Sequence, residues 1–328
     1  MIDTRIPVTI ITGFLGSGKT TLLNNLIKKH TDKKFAIIEN EFGKIGIDSG
    51  LIVGADENIY ELNNGCICCS LNSDFYRVID NLLNSEFAFN HLLIETTGIA
   101  DPMSIINAFV DGGGIQENFK IDSVVCLVDA ENIEELIEEH DEIYKQISLS
   151  DVIIINKIDT IGKDYLEKLS KKIIEKNSLA TIFKVKYADI QDIKILDTNA
   201  YSAEHIEQST KMYNQLQSNK IDLTLKHHIK TEAFIFNGVF DLQKFSLWIQ
   251  NFIFFNSNRI IRIKGILAFE NHTERFIFHS VLNSYMFDPS KQWGNEKPFS
   301  KLIFIGKHID RDEIEQGLEE IIVKIQNI

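Results

Sequence analysis

"PVTIITGFLGSGKTTLL", residues 7–23, decides the fold. Its first half is a near-continuous Val, Thr and Ile run, which reads as a strand buried on both faces. The run breaks into "GFLGSGKT", residues 13–20, which fits G-x-x-x-x-G-K-[ST]. An amphipathic stretch follows at once, over 18–29. Strand, glycine-rich loop and helix in that order are the setting in which this pattern cradles phosphate. Gly13, Gly16 and Gly18 let the backbone curl so that successive N–H groups face phosphate oxygens. The helix opening near Gly18 adds its positive dipole end. In this setting Lys19 reaches the β- and γ-phosphates, and Thr20 is a magnesium ligand.

Outward from the loop, five more apolar runs read as buried strands: "FAIIEN", "HLLIET", "SVVCLVDA", "DVIIIN" and "TIFKVKY". Helical periodicity predicts helices over 71–84, 132–147 and 163–176. The alternation makes residues 1–190 a doubly wound α/β domain with a mostly parallel sheet. "HLLIETTG" places Glu95 at a strand end, where magnesium needs a carboxylate, and Gly98 where a backbone N–H can sense a γ-phosphate. Lys19 and Glu95 are therefore the expected catalytic residues. "DVIIINKID" ends a strand with Asn156, Lys157 and Asp159. A carboxylate at Asp159 accepts two hydrogen bonds from guanine, which adenine cannot offer. A site built for such groups rejects analogues lacking them by roughly 10⁴. Asn156 suits the opposite edge of the base and the Lys157 stem its face, so the expected nucleotide is GTP with Mg²⁺. No glutamine follows Gly98 to orient water, so unassisted turnover is expected to be slow. Glu39, Asp48 and Asp101 are the acids considered for that role.

Residues 191–229 are polar and broken in periodicity and read as a linker ending in His227 and His228. From 230 to 328 the pattern predicts a smaller α+β domain. "KTEAFIFNGVF", "RIIRIKGILAFE", "ERFIFHSVLN" and "KLIFIG" are its strands. "DLQKFSLWIQNFIF" is a helix, and its apolar window "FSLWIQNFIFF" reads as core. A last helix is capped by Asp310, with an apolar face of Ile314, Leu318, Ile321, Ile322 and Ile325. No nucleophile–base pair or ligand cluster marks this half, which suits a partner-binding or regulatory role.

The formal net charge of −13 argues against nucleic-acid binding. No apolar run approaches the roughly 18 residues that span a bilayer, and the N-terminus does not read as a signal peptide. A cytoplasmic protein, free of membrane, is expected. Among four cysteines, Cys126 lies in a strand and reads as core. Cys66, Cys68 and Cys69 crowd into "NNGCICCS", residues 63–70. Thiolates are good ligands for zinc and cuprous copper. No second pair closes a four-cysteine site, so the cluster reads as an open metal clamp, with Glu39 as the added ligand and Glu41 next.

"TGFLGSGKTTLLN", "IENEFGKIGID", "NNGCICCS", "LLIETTGIADP" and "INKID" occur in the order found in the CobW family of metal-related P-loop GTPases. "RIKGILAF" and "WGNEKPFSKLIFIG" resemble that family's C-terminal domain. The chain is similar to the zinc-responsive, metallochaperone-like branch. The resemblance implies a GTPase whose cycle is coupled to a transition metal, usually zinc, and a client metalloprotein; a homodimer is left open. Carried over by motif, the nucleotide residues are Gly13, Phe14, Leu15, Gly16, Ser17, Gly18, Lys19, Thr20 and Thr21, with Gly98, Asn156, Lys157 and Asp159. Thr20 and Glu95 hold magnesium, and Cys66, Cys68, Cys69 and Glu39 the transition metal. Many relatives carry an acid after "EFG", where this chain has Lys44. The rival expectation is a regulatory GTPase that recruits a protein partner, its cysteines structural.

Overall fold

A computed structural model describes residues 3–40, 59–64, 73–110, 114–202, 204, 206–207 and 229–323. It divides into two compact units, Met1–Ile174 with Ala180–Asn199, and Glu175–Leu179 with Ala200–Ile328.

The first unit is built on seven parallel strands: β1 (Ile6–Gly13), β2 (Phe35–Asn40), β3 (Ile59–Asn64), β4 (His91–Glu95), β5 (Phe119–Asp129), β6 (Val152–Asn156) and β7 (Thr181–Lys184). Their order across the sheet is β3-β2-β4-β1-β5-β6-β7, and every neighbouring pair is parallel. Parallel neighbours need crossovers, and helices supply them. They are α1 (Lys19–Lys29), α2 (Ser73–Leu83), α3 (Met103–Val110), α4 (Ile115–Asn118), α5 (Ile133–Glu139), α6 (Asp141–Leu149) and α7 (Lys163–Lys176). The six apolar runs are all strands. Val152–Asn156 is buried throughout, as a central strand covered on both faces must be. β3 and α3 carry no strong sequence signal and were not anticipated.

The stretch 132–147 is not one helix. His140 has φ −128°, ψ 107°, and separates α5 from α6. The break places Asp141 and Glu142 in the first turn of α6, where the helix dipole favours them. Residues 191–199, read as the start of a linker, also differ. Ile195 and Leu196 are buried in the core with Leu22, Leu26 and Val125. The Asn199 N–H donates to Asp122 Oδ1 at 2.7 Å.

The second unit holds an antiparallel sheet, in the order β12 (Ser284–Gln292), β11 (Glu274–Val281), β10 (Ile260–Leu267), β13 (Ser300–Lys307) and β8 (Ile229–Phe236). Two helices, α8 (Leu242–Asn256) and α9 (Arg311–Glu319), contribute to its core. Phe245 of α8 meets Phe269, Phe278 and Phe287 edge-on, with centroids 5.7, 6.0 and 6.0 Å away. α8 buries only one face: Leu247, Phe254 and Phe255 are exposed, so the whole apolar window is not core.

Asp310 caps α9 by accepting from the N–H groups of Asp312 and Glu313. The helix stops at Glu319, short of the expected face. Ile322–Val323 instead form β14, paired with β9 (Val239–Phe240), a ladder that suits β-branched side chains. Ile325 lies outside the described residues, as do His227 and His228. Among the described residues no helix is long and apolar enough to cross a membrane.

Candidate nucleotide site

The carboxyl ends of β1, β4 and β6 converge on the glycine-rich loop. Gly13, Gly16 and Gly18 take φ of 138°, 74° and 106°, conformations that glycine alone adopts at no steric cost. Nothing lies within 4 Å of where a Cβ on Gly16 would stand, so the loop is a cradle open on that side. At Gly18 a Cβ would stand 2.6 Å from Asn156 Nδ2. Lys19 is buried, and its ammonium donates to the carbonyls of Gly13 and Phe14 at 3.0 and 3.3 Å. Its charge is thereby held against the loop. Phe14 packs on the His140 ring, with centroids 4.7 Å apart. Leu15, Gly16 and Thr21 are exposed, and Ser17 is buried.

Thr20 Oγ1 donates to Glu95 Oε1 at 3.1 Å. Hydroxyl and carboxylate are hard oxygen donors of the kind magnesium takes, and the pair stands at the start of α1, beside the cradle. Glu39 of β2 is in register with Glu95 of β4. Register partners in a parallel sheet put their side chains on the same face. The expected magnesium carboxylate and the expected zinc carboxylate are therefore neighbours, and Glu39 is buried. Cys66, Cys68, Cys69, Glu41, Lys44 and Asp48 lie outside the described residues. Among the described residues no group of three or more His, Cys, Asp or Glu is arranged to hold a metal ion. Cys126 is buried in β5, and burial pushes its thiol up to about 12, so it is inert core.

The base-recognition residues divide. Asp159 is exposed in the turn after β6. Lys157, at φ 61°, places its ammonium 2.7 Å from Asp129 Oδ2. Asn156, expected at the edge of the base, has both ends of its amide bonded inside the protein. Nδ2 donates to Ser17 O at 2.9 Å, and Oδ1 accepts from Ala188 N–H at 2.8 Å. It ties the phosphate loop to the segment after β7.

Asp129 was missed from sequence, although "VCLVDA" sets an acid at a strand end as "HLLIET" does. Burial alone would raise its carboxyl. Hydrogen bonds from Lys157, from the Asn132 side chain and from the Glu131 N–H hold it below its ordinary range instead. A second residue left no signal at all: Gln146 of α6 is buried and donates to the carbonyls of Gly98 and Ala100 at 3.1 and 3.2 Å.

A phosphate cradle between strand and helix, at the carboxyl edge of an all-parallel sheet, defines a P-loop nucleotide-binding protein. The CobW/HypB/UreG nucleotide-binding domain family matches residues 7–184, and the cobalamin synthesis protein cobW C-terminal domain matches residues 229–322. The chain belongs to the CobW/HypB/UreG family, in the form that carries the CobW C-terminal domain. It is similar to the zinc chaperone YjiA of Escherichia coli, 32% identical, with 94% of this chain and 96% of the relative covered. It is also similar to the zinc-regulated GTPase metalloprotein activator 1 of Saccharomyces cerevisiae, 29% identical over 96% of this chain and 83% of the relative. A crystal structure of zinc-bound YjiA GTPase from E. coli superposes with a TM-score of 0.67 at 27% identity, covering 97% of this chain and 99% of that one. A zinc-bound triple mutant of YjiA gives the same TM-score at 26% identity, covering 98% and 100%.

Proposed function

We propose that this protein is a GTPase that carries zinc as cargo and delivers it to a client metalloprotein under control of its nucleotide. The cradle of Gly13–Thr21 binds the phosphates, and Lys19 neutralises charge on the β- and γ-oxygens. Asp159 reads guanine, and Lys157, steadied by Asp129, covers the base. Thr20 and Glu95 would hold magnesium, which would supply charge neutralisation at the β- and γ-phosphates. Zinc is held by Cys66, Cys68 and Cys69 with Glu39. Zinc and the client come from the names of the relatives, a zinc chaperone and a metalloprotein activator. The nucleotide half is residues 1–190 together with the packed segment 191–199, and 230–328 is a half that recruits the partner.

The observation that carries the coupling is the register of Glu39 beside Glu95. Two neighbouring carboxylates repel unless cations stand between or beside them. A cation drawn to one changes how strongly the other holds its own, and by linkage the effect is reciprocal.

The test measures zinc affinity of the full chain without nucleotide, with GDP, and with a non-hydrolysable GTP analogue. Affinity that differs between the GDP and analogue states is expected; equal affinity in all three removes the coupling. Replacing Cys66, Cys68 and Cys69 together with Ser should abolish tight zinc binding and leave GTP binding in place. A triple variant that keeps parental zinc affinity moves the cargo site elsewhere. The zinc-bound YjiA triple mutant, which lacks one glutamate and two cysteines, makes that comparison necessary.

A further inference from the structure

We infer that Gln146 is a positioning residue for GTP hydrolysis: it latches the loop after β4, which carries Gly98, to helix α6. This rests on the GTPase reading above and deepens it.

Gly98 is gripped from two sides. A Cβ there would stand 2.5 Å from Leu15 N and 2.6 Å from Leu15 Cδ2, so its backbone lies directly against the phosphate loop. On its other side its carbonyl accepts from Gln146 Nε2 at 3.1 Å, and the same nitrogen reaches the Ala100 carbonyl at 3.2 Å. Two carbonyls at one end of the amide identify that end as the donor. Gln146 is 1% exposed, and hydrogen bonds made in so dry a place are stronger than in water. One residue earlier on the same helix, Lys145 pairs with Asp101 Oδ2 at 2.7 Å. Asp101 Oδ1 in turn accepts from Met103 N–H at 3.0 Å, at the start of α3. Residues 98, 100 and 101 are thus all fastened to one helix, by an inner amide and an outer ion pair.

This is the loop whose Gly98 N–H the sequence reading sets to sense a γ-phosphate. The chain has no glutamine following Gly98 to orient water. Rate in such a site depends on how well the loop is held, because a misplacement of about 1 Å can cost on the order of 100-fold. The Gln146 Oε1 atom is buried and has no hydrogen-bond partner among the described residues.

The experiment compares the full chain with Gln146→Met and Lys145→Met. Methionine keeps the volume of glutamine and removes both donations. Single-turnover hydrolysis of bound GTP should fall by about 10- to 100-fold in Gln146→Met. GDP affinity should stay within about threefold, because GDP lacks the phosphate that meets Gly98. Lys145 is half exposed, so its variant folds regardless. It should slow turnover by about two- to fivefold, the effect of an exposed pair. Amide hydrogen exchange over 98–101, measured with GDP bound, should speed up in both variants.

Unchanged or faster turnover in folded Gln146→Met overturns the proposal. If that variant does not fold, unchanged turnover in Lys145→Met overturns it. GDP affinity lost in step with turnover would show a merely structural role and also overturn it. If the parent hydrolyses no GTP, the enzymatic reading falls separately. Exchange then decides the latch: unchanged protection over 98–101 overturns it.

Discussion

Asp159 stands exposed after β6, ready to accept from a base without first breaking a bond to the protein's interior. Hydrogen bonds to a charged group contribute about 1.5–3 kcal/mol. Asp159→Ala should therefore weaken GTP binding by about 10- to 100-fold and leave ATP binding where it was, read by competition against a fluorescent nucleotide. Equal losses for the two nucleotides would remove Asp159 from base recognition. His91 makes a different kind of prediction. It is fully buried in β4, with Nε2 2.9 Å from Thr9 Oγ1. Burial, helped by Lys33 and opposed by Asp197, brings its imidazole down to about 3. The unfolded chain takes up a proton near pH 6.5 that the folded chain refuses until about 3. His91 therefore favours folding above pH 6.5, and that contribution is lost as pH falls toward 3, with a slope approaching 1.4 kcal/mol per pH unit. Asp122, whose carboxyl burial raises, acts with the opposite sign, so the raw slope is a mixture. His91→Asn separates them: its stability in urea should fall less steeply than the parent's from pH 7 to 5. Parallel curves would mean that another group titrates there.

Among the elements, α9 shows how packing reverses a local rule. Gly317 sits inside the helix, where alanine ordinarily stabilises by about 0.5–1 kcal/mol. Here a Cβ would stand 2.5 Å from Trp248 Nε1. The indole cannot swing aside, because it stacks on Phe252 with centroids 4.9 Å apart and planes 11° apart. Overpacking costs about 1–3 kcal/mol and outweighs the helix gain. Gly317→Ala should therefore destabilise the protein by about 1 kcal/mol, seen as a lower urea midpoint; a higher midpoint would show that the ring yields. The same contest explains which elements could be read in advance. The cap at Asp310 is local and forms as the sequence predicts. The end of α9 and the break at His140 depended on what the chain met in space.

At the scale of the whole molecule, the first unit extends past residue 190. A fragment of residues 1–190 lacks Ile195 and Leu196, which are 0% and 1% exposed. Removing a buried Ile or Leu side chain ordinarily costs about 2–5 kcal/mol. A fragment of residues 1–199 should therefore unfold cooperatively at a clearly higher urea midpoint and bind a GTP analogue. Glu175–Leu179 pack in the second unit, so both fragments lose that support equally and the comparison isolates 191–199. Equal midpoints would show that this segment adds nothing to the core.

The residues by themselves determined whatever is decided within about a dozen neighbours. Glycines whose φ must be positive, a lysine and a threonine at a strand–helix joint, and β-branched runs long enough for a buried strand impose their conformations locally. The phosphate loop, the six apolar strands and the two capped helices of the second half were legible for that reason. The place of Glu39 beside Glu95 was decided by strand order, which puts β4 between β2 and β1. The bond from Asn156 to Ser17 spans 139 residues, and that from Gln146 to Gly98 spans 48. A single side chain does not encode such meetings. They follow from the closing of a parallel sheet, which brings the strand ends and their loops to one edge. The sequence names the groups that can do the chemistry, and the folded backbone sets which of them stand within hydrogen-bonding reach of one another.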